Sequence, residues 1–165
     1  MTALILGVDS GLDGAFAWLH EGRIAGTRPT RHMLDAERRL DFAVIREWAQ
    51  LLNAKFPDAP RVAAIEEPFA PKGRERGVMG SWRRFGQLEA LLWTLEYEVI
   101  GVQARRWQSA LGFAGDSKAA SLAYAIEHHP EVNLIPPRAK KPHDGLADAV
   151  CIAVWASRQL KETTP

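Results

Sequence analysis

The run ALILGVD, residues 3–9, is apolar or glycine until it ends on a carboxylate, Asp9. So short and continuous a run predicts a strand covered on both faces. GAFAWLH and RIAGTRP repeat the pattern after glycine-containing turns, which predicts a three-stranded meander. The period then changes. In DFAVIREWAQLLNAKF the apolar positions Phe42, Ile45, Trp48, Ala49, Leu52 and Phe56 fall at helical spacing, with Asp41 placed to cap. RVAAIE is a fourth short strand, ending on Glu66. A basic, glycine-rich loop over residues 70–81 leads into a helix carrying Trp82, Phe85, Leu88, Leu92 and Leu95, and EVIGV is a fifth strand. DSKAASLAYAIEHH reads as a helix capped by Asp116 or Ser117. NLIPPRAKKP is too proline-rich to be helical, and HDGLADAVCIAVWASRQL closes the chain as an alanine-rich helix.

Three strands followed by alternating helix and strand predict an α/β domain, a five-stranded mixed sheet with helices on both faces. Ligands gather where the strands of such sheets end. Asp9 and Glu66 both stand at the carboxyl end of a strand, and they meet if the first and fourth strands are neighbours.

Composition narrows the classes. The 165 residues, 47% hydrophobic and 25% charged, suit one domain over residues 1–160 with KETTP, 161–165, as a tail. The single cysteine, Cys151, lies in an apolar run; it excludes an internal disulfide framework and a cysteine-based zinc cluster, and it fits a cytoplasmic setting. No apolar stretch is long enough for a bilayer, and MTALILGVDS lacks the basic start of a leader, so no membrane partner is expected. The net charge is only +1. Bases nevertheless gather in PKGRERG, SWRRFG, ARRW and PPRAKKPH, so a nearly neutral chain can carry a positive face suited to nucleic acid.

The last helix adds Asp144 and Asp148, four apart and so on one helical face. Asp144 suits a helix start, whereas Asp148 has only small or apolar neighbours and is costly there unless paired or metal-bound. Carboxylates ~4 Å apart repel by about 4 kcal/mol at an effective dielectric of 20. Converging acids therefore call for a divalent cation. Oxygen-only ligation favours Mg²⁺ or Mn²⁺, and two such ions can hold a scissile phosphate and activate water.

LILGVDSG, AAIEEPF, FGQLEALLW, GDSKAA and DGLADAVCIAVWA, in this order, resemble the RuvC family of Holliday-junction resolvases, an RNase H-like fold, and most closely its bacteriophage-type branch. The resemblance spans about residues 3–156. It implies a dimeric, metal-dependent endonuclease that cuts branched DNA, four-way junctions first and forks and flaps besides. It also implies Asp9, Glu66, Asp144 and Asp148 as ligands of two Mg²⁺ or Mn²⁺ ions. One departure matters. Many bacterial members space the last two acidic positions three apart, and here Gly145 stands three before Asp148, leaving Asp144 or His143 to complete the set. Glu66 and Glu67 point to opposite faces of a strand, so only one can join the site; the resemblance favours Glu66 and leaves Glu67 as a loop charge.

Phe69 follows the acidic pair in a loop. It reads as packing beneath that loop or as a wedge against an unpaired base, and the resemblance favours the wedge. Lys72, Arg74, Arg76, Arg83 and Arg84, with Arg105 and Arg106 and with Lys140 and Lys141, are candidates to track phosphates. Lys118, beside a helix start, reads either as a plain surface lysine or, by resemblance to a family lysine near the scissile phosphate, as a cation that stabilises transition-state charge. Trp48, Trp93 and Trp155 read as packing. Phe85, Leu88 and Leu92 form a stripe that either a monomer core or a second copy could cover. Two other functions compete. GVDSGLDGAF also resembles the first phosphate loop of actin- and sugar-kinase-type phosphotransferases, but no second such hairpin follows. A non-catalytic nucleic-acid binder of the same fold would gain nothing from acids facing phosphate.

Overall fold

The strands form one five-stranded sheet in the order β3-β2-β1-β4-β5. A computed structural model describes residues 2–70, 78–113 and 117–163. β1 (Leu4–Val8) pairs antiparallel with β2 (Ala15–His20), which pairs antiparallel with β3 (Arg23–Pro29). On its other side β1 runs parallel to β4 (Arg61–Glu66), and β4 to β5 (Glu98–Val102). The predicted meander and the adjacency of the first and fourth strands are thus both present.

Alternation along the central strands divides the core between two faces. Leu4, Leu6 and Val8 of β1 and Ala63 and Ile65 of β4 face α1 (Phe42–Lys55) and α2 (Met79–Thr94). Ile5 and Ala64 face the other way, toward α3 (Ala104–Ala110) and α5 (Asp144–Thr163). α4 (Ser117–His128) packs on α5, whose first turns cover Ala15 and Ala17 of β2. Asp41 caps α1 as its position predicts, accepting from the N–H groups of Ala43 and Val44.

α5 lies unusually close to the sheet because the contact is built from small residues. A Cβ on Gly7 would strike the backbone of Ala149 and Ala153, and one on Gly145 would come 2.7 Å from the Cα of Gly14. The helix is thereby seated on β1 and on the turn of the first hairpin.

One sequence expectation changes and two open readings are settled. α3 is a helix where ARRW reads only as a basic cluster. Trp93, expected to pack, is 73% exposed. Phe85, Leu88 and Leu92 are buried against this chain's own sheet, so that stripe is core. Cys151 is buried and free, as expected. Among the described residues no helix is long and apolar enough to cross a membrane.

Candidate active site

Register assembles the first half of the site. Val8 is paired with Ile65, so the next residue on each strand, Asp9 and Glu66, emerges beside the other at the carboxyl edge of the sheet. Both continue the alternation that aims Ile5 and Ala64 at α5. Seating α5 on Gly7 brings Asp148, the residue before Ala149, over the same edge. Asp9, Glu66 and Asp148 therefore converge from three separate elements.

Asp9 and Glu66 are held from behind. The Asp9 backbone N–H donates to the carbonyl of Ala15 at 3.0 Å, and its Oδ1 accepts from the Gly11 N–H at 2.9 Å. Gly14 is pressed against it: a Cβ there would lie 2.8 Å from the Asp9 carboxyl carbon. Ser10 Oγ donates to the Glu66 carbonyl at 2.9 Å, and Trp107 Nε1–H donates to Glu66 Oε2 at 2.8 Å.

The three carboxyls sense one another. Burial, reinforced by Asp9 and Asp148 against the opposing Trp107 hydrogen bond, pushes Glu66 up to about 7. Burial also raises Asp148 to about 6; Asp9 and Asp144 add to this, while a Ser121 hydrogen bond and Lys118 oppose it. Asp9 is raised by burial, against its Gly11 hydrogen bond and the charges of His143 and Lys118. All three shifts point toward protonation, which is the response of acids crowded in a low-dielectric edge without enough positive charge.

Asp9, Asp144 and Asp148 line a cleft of about 620 Å³ together with Arg31, Arg84 and Lys118. Asp144 is more open than the others, and its Oδ2 lies 3.6 Å from Lys118 Nζ. His143 Nδ1 accepts from the Leu146 N–H at 3.2 Å, so it caps α5 and has only its other ring nitrogen for a ligand. Gly145 abuts Asp13 and Gly14, where no acidic side chain fits. This accounts for the four-residue spacing of the helix acids.

An oxygen-only set of buried, mutually repelling carboxylates fits a hard divalent cation in its chemistry. Among the described residues, however, no three His, Cys, Asp or Glu side chains are closed around a point that would hold a metal ion. The set is gathered but open.

The remaining sequence candidates are dispersed. Glu67 turns to the opposite face, its carboxyl over Gly101 and beside Phe85. Phe69 stands 79% exposed beyond β4. Arg84 reaches inward, with Nε 3.3 Å from the Ser10 carbonyl and Nη2 donating to Ser81 Oγ at 3.0 Å, whereas Arg83 is exposed and does not line the cleft. Arg105 and Arg106 are exposed on α3, the latter stacked 5.7 Å over Trp155, and neither lines the cleft. Lys140 and Lys141 are exposed just before Pro142 and His143, which do line it. Lys72, Arg74 and Arg76 lie outside the described residues. Sequence reasoning overlooked Arg31 and Trp107. Arg31 follows a strand ending in proline, a place where a turn back to the sheet edge is expected; Trp107 sits in a run noticed only for its charge.

No family model matches the chain, and no curated protein matches its sequence. Solved structures do. The chain is similar to Thermus thermophilus RuvC in complex with a Holliday junction substrate, at a TM-score of 0.60 and 20% identity, covering 98% of this chain and 97% of that one. It is equally similar to a second Thermus thermophilus RuvC structure, at a TM-score of 0.60 and 19% identity over 97% of each chain. With its strand order and its helices on both faces, the chain has an RNase H-like fold similar to that of these structures.

Proposed function

We propose that this chain is a metal-dependent endonuclease that cuts branched DNA, with four-way junctions as its principal substrate. The observation that carries the reading is the convergence of Asp9, Glu66 and Asp148, three carboxyls each raised chiefly by burial, beside a cleft that Asp9 and Asp148 line together with Arg31, Arg84 and Lys118. Acids alone would repel a phosphodiester, and bases alone would only bind it. The mixture suits a polyanion brought to a cation-filled acidic pocket. The chain's resemblance to RuvC by motif order supports the same activity.

Asp9, Glu66 and Asp148 would hold Mg²⁺ or Mn²⁺, with Asp144 at the rim. When bound, such ions supply an activated water and neutralise charge on the leaving oxygen. The residues of the chain do the rest. Gly11 and Gly14 let backbone and ligand approach Asp9 closely. Lys118, 3.6 Å from Asp144, offers a cation that can turn to the developing negative charge. Arg31 and Arg84, which both line the cleft, would hold the phosphates of the strand. Phe69, large, apolar and exposed, is suited to stack on an unpaired base at a branch point.

The reading includes a homodimer across α2. With Phe85, Leu88 and Leu92 spent on the core, a flanking face of that helix carries Met79, Trp82 and Trp93, 65%, 44% and 73% exposed, with open space at Gly86 between them. An apolar line broken by glycine suits close packing of a second copy, and two-fold symmetry would match a four-way junction.

The test is incubation with a synthetic four-way junction, with Mg²⁺ or Mn²⁺ and with chelator. Paired nicks near the crossover that need the metal are expected. Binding without cleavage would make the chain a non-catalytic binder of the same fold, and ATP turnover without DNA would place it with the phosphotransferases.

A further inference from the structure

Trp107 is fully buried, yet its indole is not simply core. A buried indole N–H must find an acceptor, and the one it finds is Glu66 Oε2, at 2.8 Å. Glu66 is the acid with most reason to move. Its side chain is long, it is pressed by Asp9 and Asp148, and repulsion would swing it away from them. Its backbone is already pinned on both sides. Ser10 donates to its carbonyl, and the following N–H, that of Glu67, donates to Val102 on β5 at 2.8 Å. Only the carboxyl remains free to turn, and Trp107 holds it. The ring also packs edge-to-face on Phe113 at 5.9 Å, and Phe113 on Tyr124 at 5.7 Å, whose hydroxyl accepts from Arg158 at 2.9 Å.

We infer that Trp107 is a positioning residue for the metal site: its N–H fixes one oxygen of Glu66 so that the other faces Asp9 and Asp148 before any cation arrives. The inference rests on the metal-dependent reading above. An outer hydrogen bond of this kind sets the orientation of a ligand that would otherwise have to be ordered during binding, and losing one weakens metal affinity by about 10- to 100-fold.

Two variants separate the hydrogen bond from the packing. Trp107→Phe keeps a ring in the pocket and deletes the donor. Phe113→Leu loosens the same aromatic stack and leaves the donor in place. Mn²⁺ uptake is read by titration calorimetry without DNA, and junction cleavage is read against Mn²⁺ concentration. Trp107→Phe should bind Mn²⁺ about 10- to 100-fold more weakly and shift half-maximal cleavage to correspondingly higher metal, with activity largely regained at saturation. Phe113→Leu should bind as wild type does. Unchanged uptake by Trp107→Phe, or equal losses in both variants, would overturn the inference while leaving the nuclease reading intact. Wild-type protein that takes up no Mn²⁺ would overturn both.

A measurement on the wild-type chain guards against a variant that does not fold. In protein labelled with ¹⁵N at its six tryptophans, the indole N–H of Trp18, which donates to Tyr97, and that of Trp107 should both resist exchange with solvent, and the second signal reports on the site. That signal should move both on addition of Mg²⁺ and in Glu66→Gln. If no indole signal responds to either change, Trp107 does not hold the carboxylate.

Discussion

Replacing Asp9 by Asn keeps the shape of the side chain and its hydrogen bond from Gly11, but removes the charge that a cation needs and that a phosphate dislikes. Cleavage by Asp9→Asn should fall by at least about 100-fold, while binding of a four-way junction, followed by gel shift, persists or tightens. Glu66 makes a different prediction, readable without DNA. Its carboxyl stands near 7 in the fold against an ordinary 4.5, so between those values the folded state holds a proton that the unfolded state has lost. Stability therefore falls as pH rises through that window. In chelator, wild-type Tm should drop from pH 4.5 to 7 relative to Glu66→Gln by on the order of 5 °C. Scans showing parallel pH profiles for the two proteins would mean that Glu66 is not held against its neighbours as described.

The placement of α5 depends on glycines more than on attraction. Gly7→Ala introduces a methyl group where the backbone of Ala149 and Ala153 already lies. It should cost about 1–3 kcal/mol in chemical denaturation and lower cleavage as well, since Asp148 moves with the helix. A loss of stability with full activity would show that the helix can shift without disturbing the acids. These contacts also explain what the sequence could and could not disclose. Strands and long helices were legible from period alone, since β1, β2, β4 and α1 carry unbroken apolar patterns. The meeting of Asp9 with Glu66 is conditional in the sequence on the first and fourth strands being neighbours, and the β1–β4 register supplies that condition. α3 was not legible, because seven residues with two arginines and one buried tryptophan give too little periodicity to register. Trp93 misled for a related reason: helical spacing says that positions share a face, not which face is covered. The hydrogen bond from Trp107 to Glu66 joins residues 41 apart and depends on how β4, β5 and α3 fit together, which no local pattern encodes.

Across the molecule, the sheet separates two tasks. The α3–α4–α5 side carries the acids, and the α1–α2 side ends in the exposed line Met79, Trp82 and Trp93. Trp93→Glu sets a charge at the most exposed point of that line, outside the buried core. It should leave the thermal midpoint within a few degrees and convert a dimer to monomer in sedimentation velocity. Paired incision of a junction should become single nicking, with the rate on each strand less affected. A variant that still sediments as a dimer would move the interface elsewhere. The contact between Gly145 and the turn after Asp9 reaches further. Because the helix start rests on that turn, the interval between the two helical acids and the form of the first hairpin cannot vary independently. A chimera that imports only a helix with acids three apart would jam against this turn, and should fold and cut only when the matching hairpin is imported with it.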